Sequence, residues 1–368
     1  MMRRILTLDG GGIRGVFSLQ VLARIEHIFR TARGRPALVL RDEFDFFAGT
    51  STGAIIATCL AWGMPVSDIE ELYVEHGREM FAKARWYARW KSKYDADPIA
   101  NMFRSRFCED DPDRTPALLG TSKLFGPAER KYLLVVMRNA STGSPWPVCN
   151  NPDAMFNDTS RPDCNLRIPI WKLLRASTAA PTYFRPEAID VGGTEHVFID
   201  GGLTPFNNPA FIAALTAMLP CYRIQWQTGV DKLLVVSVGT GLVRARLEKR
   251  DPERINVVDQ ARSAVPALMG SVSQQQDMLC RLIGSCQSGA PLDLEVGDLK
   301  EPSLFGTSEK KFSYLRYNRE FTPAESARLL SATGQKFALD NLGLIPFLKD
   351  AGRDYARASV HPEDVLRH

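Results

Sequence analysis

Ser51 stands at the centre of Gly49-Thr50-Ser51-Thr52-Gly53, after the apolar run Phe44-Asp45-Phe46-Phe47-Ala48 and before Ala54-Ile55-Ile56-Ala57. The pattern predicts a strand, a sharp turn and a helix, with a hydroxyl at the apex. Glycines on both sides let the backbone bend and let the turn pack closely. A nucleophile needs such a place: exposed, oriented, and beside the positive end of a helix. A plain glycine turn carries the same residue types, so the serine needs partners before it means catalysis.

The 368 residues suffice for one large α/β domain, and 45% apolar with 24% charged residues is ordinary globular composition. A net charge of +4 is too small to argue for a nucleic acid polymer as partner. The seven cysteines are scattered, odd in number and without a C-x-x-C pair. They read as reduced thiols of a cytoplasmic protein, not as a disulfide framework or a metal site. The N-terminal Met1-Met2-Arg3-Arg4-Ile5-Leu6-Thr7-Leu8-Asp9 reads as a short strand rather than a signal peptide. No apolar run reaches the roughly 18 residues of a membrane span.

Strands are expected at 4–8, 38–41, 44–48, 131–137, 196–199, 232–238 and 312–317. Helices are expected at 13–32, 52–62, 67–93, 169–179, 208–219, 257–284 and 323–340. Residues 95–130 read as irregular and 139–166 as a long surface loop. Alternation of continuous apolar strands with helices predicts an α/β fold, a mostly parallel central sheet with helices on both faces. The expected organisation is a single domain over 1–368, with insertions near 67–130 and 139–166 and a helical C-terminal part, 245–368.

A serine hydroxyl attacks only when a base takes its proton. None of the five histidines fits that role: His27 and His76 fall inside expected helices, His196 begins a strand, and His361 and His368 lie in a polar tail. Asp200 is the better base. It ends Val197-Phe198-Ile199, is followed by Gly201 and Gly202, and is expected at the same carboxyl edge of the sheet as Ser51. Shielded from water, its carboxylate gains proton affinity. Asp-Gly is also a common turn pair, and that reading stays open at this point. The third piece is Asp9-Gly10-Gly11-Gly12-Ile13-Arg14-Gly15. Glycines ahead of a helix turn successive N–H groups toward one point, a nest for an oxyanion. Arg14 adds a fixed charge able to steady the loop or meet a phosphate.

That loop also spells G-x-G-x-x-G, and Asp42 after a second strand would suit a dinucleotide ribose. This alternative leaves Gly49–Gly53 and Asp200-Gly201-Gly202 without a role. A P-loop is excluded, because no G-x-x-x-x-G-K-[ST] occurs.

Gly10–Gly15, Gly49–Gly53 and Asp200–Gly202, in that order and spacing, resemble the three signatures of patatin-like phospholipases. Ala176–Phe184, Asn207-Asn208-Pro209 and Ser237–Gly241 are similar to further blocks of that family. The resemblance covers roughly residues 3–245, with a weaker echo at Tyr314-Leu315-Arg316. It implies a three-layer α/β/α fold and a lipid acyl hydrolase that needs no metal or other cofactor for catalysis. It implies Ser51 as nucleophile, Asp200 as base and an oxyanion hole at Gly10, Gly11 and Gly12, so that the absent triad histidine is expected. Arg14, Gly15, Gly49, Gly53, Gly201 and Gly202 support the motifs.

The expected substrate is a membrane phospholipid, met at the inner face of the membrane. Residues 83–93 carry five cations, three aromatics and no acid. Trp86, Tyr87 and Trp90 there suit peripheral contact with lipid headgroups; a core-packed helix with a basic outer face is the alternative. Some bacterial members of the family are switched on by cyclic dinucleotides in antiphage defence. The unmatched stretch 245–310, with Arg244, Arg246, Lys249, Arg250 and Arg254 nearby, fits such an activator. A constitutive acyl hydrolase and a nucleotide-binding scaffold without activity remain as alternatives, and a homo-oligomer is compatible with any of these readings.

Overall fold

A computed structural model describes residues 2–75, 77, 98–124, 130–181, 184–243, 257–300, 309–334 and 340–367, with 257–266 entering only as helical backbone. The basic aromatic stretch with Trp86, Tyr87 and Trp90, the cations Arg244, Arg246, Lys249, Arg250 and Arg254, and the second half of the helix expected at 67–93 lie outside the described residues.

The strands are β1 (Arg3–Leu8), β2 (Phe46–Thr50), β3 (Tyr132–Asn139), β4 (Ser144–Cys149), β5 (Glu187–Val191), β6 (Thr194–Asp200), β7 (Leu233–Val238), β8 (Leu242–Val243), β9 (Ser285–Ser288), β10 (Ser313–Tyr317) and β11 (Glu320–Phe321). Six run parallel in the order β3-β2-β1-β7-β10-β9, and β4 pairs antiparallel with β3. The main helices are α1 (Gly15–Arg33), α2 (Thr52–Trp62), α3 (Val66–Glu75), α4 (Pro98–Arg106), α5 (Ile170–Ser177), α6 (Ala210–Met218), α7 (Val257–Ile283), α8 (Pro323–Thr333) and α9 (Ile345–Ser359).

Successive strand residues point to opposite faces, so a strand buried on both sides must be apolar throughout. In β7, Leu234 and Val236 join one core with Leu6, Leu8, Phe47 and helices α1, α2, α5 and α9. Leu233 and Val235 join the other with Ile5, Phe46, Ala48 and helix α6. The sheet is therefore mostly parallel and covered by helices on both faces, as the sequence predicts. Among the described residues, no helix is long and apolar enough to cross a membrane.

Four local expectations need correction. Residues 38–41 are not a strand: Val39 is extended and Leu40–Glu43 form a short helical turn. Asp42 lies in that turn, paired at 3.2 Å with Arg35, and not at a strand end where it could meet a ribose. The stretch 95–130 contains α4, which begins at Pro98 and buries Ile99, Ala100 and Phe103 along one side. The loop expected at 139–166 contains β4, whose Pro145 and Pro147 lie on a strand that, among the described residues, pairs only with β3. A strand with one free edge tolerates proline, because the missing N–H faces no partner.

Candidate active site

β2 delivers Ser51. The strand ends at Thr50, and Ser51 takes φ 53° and ψ −123° before α2 begins. An L residue adopts such a conformation only where its surroundings enforce it. The enforcement is visible on both sides. A side chain on Gly49 would collide with the Gly53 main chain, and one on Gly53 with the Leu8 carbonyl. The buried Ser177 accepts the Ser51 N–H at 2.9 Å and donates its own hydroxyl to the Val136 carbonyl at 2.6 Å, which ties the turn to β3.

Asp200 arrives from the opposite direction. β6 does not run parallel to β2; it pairs antiparallel with β3, Asp200 lying opposite Met137. On β3, Thr50 of β2 lies opposite Val136, and β4 fills the other edge at both positions. Thus β2 and β6 share one edge of β3 and meet end to end. Asp200 meets Ser51 at the carboxyl end of β2 because the two strands abut, not because they run side by side. Gly201 makes the meeting possible, since a side chain there would strike the Val136 carbonyl.

Ser51 Oγ donates to Asp200 Oδ2 at 2.8 Å. The other carboxylate oxygen, Oδ1, accepts the Gly202 N–H at 2.6 Å. Asp200 is 5% exposed. Burial pushes its carboxyl up to about 6, against the Gly202 and Ser51 hydrogen bonds that favour the charged form. It is therefore ionised at neutral pH yet a stronger base than a solvated aspartate.

The glycine loop lies between β1 and α1. The Gly10 N–H donates to the Asn207 carbonyl at 3.1 Å, so this amide is taken up and Gly10 is corrected from donor to spacer. The Gly10 carbonyl accepts from Thr240 Oγ1 at 3.2 Å, and the Gly11 carbonyl accepts from Arg14 Nε at 3.2 Å. In a trans peptide the N–H points opposite to the C=O. Anchoring these two carbonyls turns the Gly11 and Gly12 N–H groups the other way, and neither has a protein partner among the described residues. Arg14 also donates to the Gly241 carbonyl at 2.8 Å. Burial lowers its pKa to about 10, which still leaves it charged at neutral pH.

Beneath the loop, Arg316 of β10 reaches across β7 to both oxygens of Asp9, at 2.9 and 2.6 Å, and to Ser237 Oγ at 2.8 Å. Asp9 and Arg316 are both buried. This bidentate pair locks the ends of β1, β7 and β10 under the glycines.

His196 is remote from this arrangement; its Nδ1 faces Asn139 Nδ2 at 3.2 Å and its ring packs on Trp146 and Phe198. Among the described residues, no group of three or more His, Cys, Asp or Glu side chains is placed to hold a metal ion. The seven cysteines are free thiols. The sequence reading missed the parts of Ser177, Thr240 and Arg316. Each stands in a block the sequence offers as family-like, but its partner is far along the chain.

A family model described as patatin-like phospholipase matches residues 6–214. That is more than half of the 368 residues, and the chain belongs to the patatin-like phospholipase family. It is similar to a cGAMP-activated phospholipase of Vibrio cholerae, 30% identical over 251 residues, covering 64% of each chain. It is similar to a cGAMP-activated phospholipase of Escherichia coli, 31% identical over 215 residues, covering 58% of this chain and 55% of that one. It is also similar to the rat 85/88 kDa calcium-independent phospholipase A2, 31% identical over 254 residues, covering 64% of this chain and 27% of the rat protein. The chain thus spans less than two thirds of the length of each of these relatives.

Proposed function

We propose that the chain is a serine lipid acyl hydrolase of the phospholipase A type, with Ser51 as nucleophile, Asp200 as base and the Gly11 and Gly12 amides as oxyanion donors. The observation that carries this reading is the 2.8 Å hydrogen bond from Ser51 Oγ to a buried carboxylate of raised proton affinity. Asp200 takes the hydroxyl proton as Oγ attacks the acyl carbonyl carbon of a phospholipid ester. The oxyanion forms toward the two glycine amides, whose direction Thr240 and Arg14 fix in advance. Asp200 then gives the proton to the leaving alcohol, and water releases the fatty acid from Ser51. Every proton moves through one carboxylate, so no histidine is required.

The dyad works with Asp200 ionised. Activity on a soluble ester should therefore fall as pH drops through about 6 and level off above it. A kcat/KM profile from pH 4.5 to 8.5 checks this; a profile flat down to pH 4.5 contradicts it.

We further propose that a cyclic dinucleotide activates the enzyme, on the strength of the names of the two bacterial relatives, and that it meets its substrate as a peripheral membrane protein. The test is fatty-acid release from phosphatidylethanolamine/phosphatidylglycerol vesicles with and without cGAMP, beside a thermal melt. At 100 times its Kd, a ligand of the folded state adds about 2.7 kcal/mol of stability. A rise in Tm with release only in the presence of cGAMP supports the switch. Full release without it establishes a constitutive hydrolase instead.

A further inference from the structure

Tyr73 lies on α3 and is fully buried. Val66, Ile69, Leu72 and Tyr73 share the buried face of that helix, at spacings of three and four. A phenol in such a place needs partners for its hydroxyl. Tyr73 finds them on one residue, Thr52, which opens α2 and directly follows Ser51. Its Oη donates to the Thr52 carbonyl at 3.0 Å and also meets Thr52 Oγ1. Each hydroxyl has one hydrogen. With the Tyr73 hydrogen on the carbonyl, Thr52 Oγ1 is the donor to Oη, and both protons are used. Thr52 is itself buried, so water does not compete for either group. Burial pushes the phenol pKa well above its ordinary value, so the donor persists across the working pH range.

This contact completes a clamp around a strained residue. Ser51 has φ 53° and ψ −123°. Its N–H is held by Ser177 at 2.9 Å, and the residue after it is held by Tyr73. Rotating the Ser51 backbone must move one held group or the other. A conformation of this kind persists only where the surroundings over-determine it. Gly15 closes the third side. A side chain there would run into Thr52 Oγ1 and Tyr73 Cε1, so the start of α1 rests directly on the Thr52–Tyr73 pair. Gly15 also ends the glycine loop. The nucleophile turn and the oxyanion loop are thus both seated against one buried pair.

Building on the Ser51–Asp200 reading above, we propose that Tyr73 is a positioning residue for the nucleophile, its hydroxyl acting through Thr52 to hold Ser51 in the turn conformation that aims Oγ at Asp200. Being fully buried, it acts on the turn and not on the substrate. Its loss lowers the rate of attack and leaves substrate binding and the pH profile as they were.

The test is the kinetics of Tyr73→Phe on a p-nitrophenyl ester, with cGAMP present, well below the melting temperature of the variant. Phenylalanine keeps the ring in its buried place and removes only the hydroxyl. The expected result is a kcat lower by about 10- to 30-fold with KM within about twofold. Fluorophosphonate labelling of Ser51 should slow by a similar factor, while the midpoint of the pH profile stays near 6. Thr52→Val removes the other hydroxyl at nearly equal volume and should lower kcat by about 3- to 10-fold, whereas Thr52→Ser keeps it and should stay within about twofold of the unsubstituted protein. This second pair keeps the test intact if Tyr73→Phe fails to fold. Unchanged kcat and labelling rate in Tyr73→Phe, a raised KM at constant kcat, or equal kcat in Thr52→Val and Thr52→Ser would overturn the role of Tyr73. No labelling of Ser51 in the unsubstituted protein would instead overturn the Ser51–Asp200 reading on which it rests.

Discussion

Ser51→Ala and Asp200→Asn are each expected to lower kcat/KM on phospholipid and soluble ester by about 10³-fold or more, and Asp200→Asn to raise the melting temperature at pH 8. The loss of rate follows from the single proton path: without the hydroxyl there is no acyl-enzyme, and without the carboxylate nothing takes the proton. The two effects should not be additive, because in the proposed dyad the residues act as one unit. The rise in stability follows from linkage. The folded-state pKa of Asp200 is about 6, against 3.8 for the unperturbed group. The fold therefore binds the proton more tightly than the unfolded chain, and stability from this group is lost as pH rises from about 4 through about 6. Above pH 6 the ionised carboxylate costs on the order of 3 kcal/mol, and a neutral amide removes that cost. The side-chain amide introduced by Asp200→Asn would still accept the Gly202 N–H and meet Ser51. An aspartate serving only to shape the Asp-Gly turn would show the same gain in stability, because the gain follows from burial, but little change in rate. The kinetics separate the two roles, and melting curves at pH 4 and pH 8 check the linkage.

Arg316→Ala is expected to destabilise the protein by about 3–5 kcal/mol, because it leaves the Asp9 carboxylate buried without its partner. For a chain of this size the Tm should fall by roughly 4–6 °C. The double variant Asp9→Asn/Arg316→Met should lose much less, since burying a neutral pair avoids the desolvation of a lone charge. If Arg316→Ala melted within about 1 °C of the unsubstituted protein, the pair would not be holding the strand ends together. The location of the pair extends the expectation to activity. Asp9 immediately precedes Gly10, and the Asp9 N–H is held by the Val238 carbonyl at 3.1 Å. Loosening this seat should blur the aim of the Gly11 and Gly12 amides and lower kcat more than it alters KM.

The buried parallel strands were legible because burial on both faces demands continuous apolar runs, as in Leu233–Val238 and Tyr132–Met137. The turn around Ser51 was legible because Gly49 and Gly53 leave no room for any other residue. β4 and α4 were not, since proline in Ser144–Cys149 and at Pro98 looks like a loop until the free strand edge and the first helical turn are seen. Asp200 stood out as the candidate base by residue type and by the failure of the histidines. Its approach from an antiparallel strand was hidden, because pairing direction follows from contacts distant in sequence. The same holds for the Gly10 amide: its bond to the Asn207 carbonyl joins residues 197 positions apart, and no local pattern encodes it.

Labelling with a fluorophosphonate, followed by peptide mass spectrometry with and without cGAMP, decides whether Ser51 is the nucleophile. A Ser51–Asp200 dyad requires a covalent adduct on Ser51 alone, absent from Ser51→Ala and strongly slowed in Asp200→Asn. An adduct on another serine, or none on Ser51 in either condition, would contradict it.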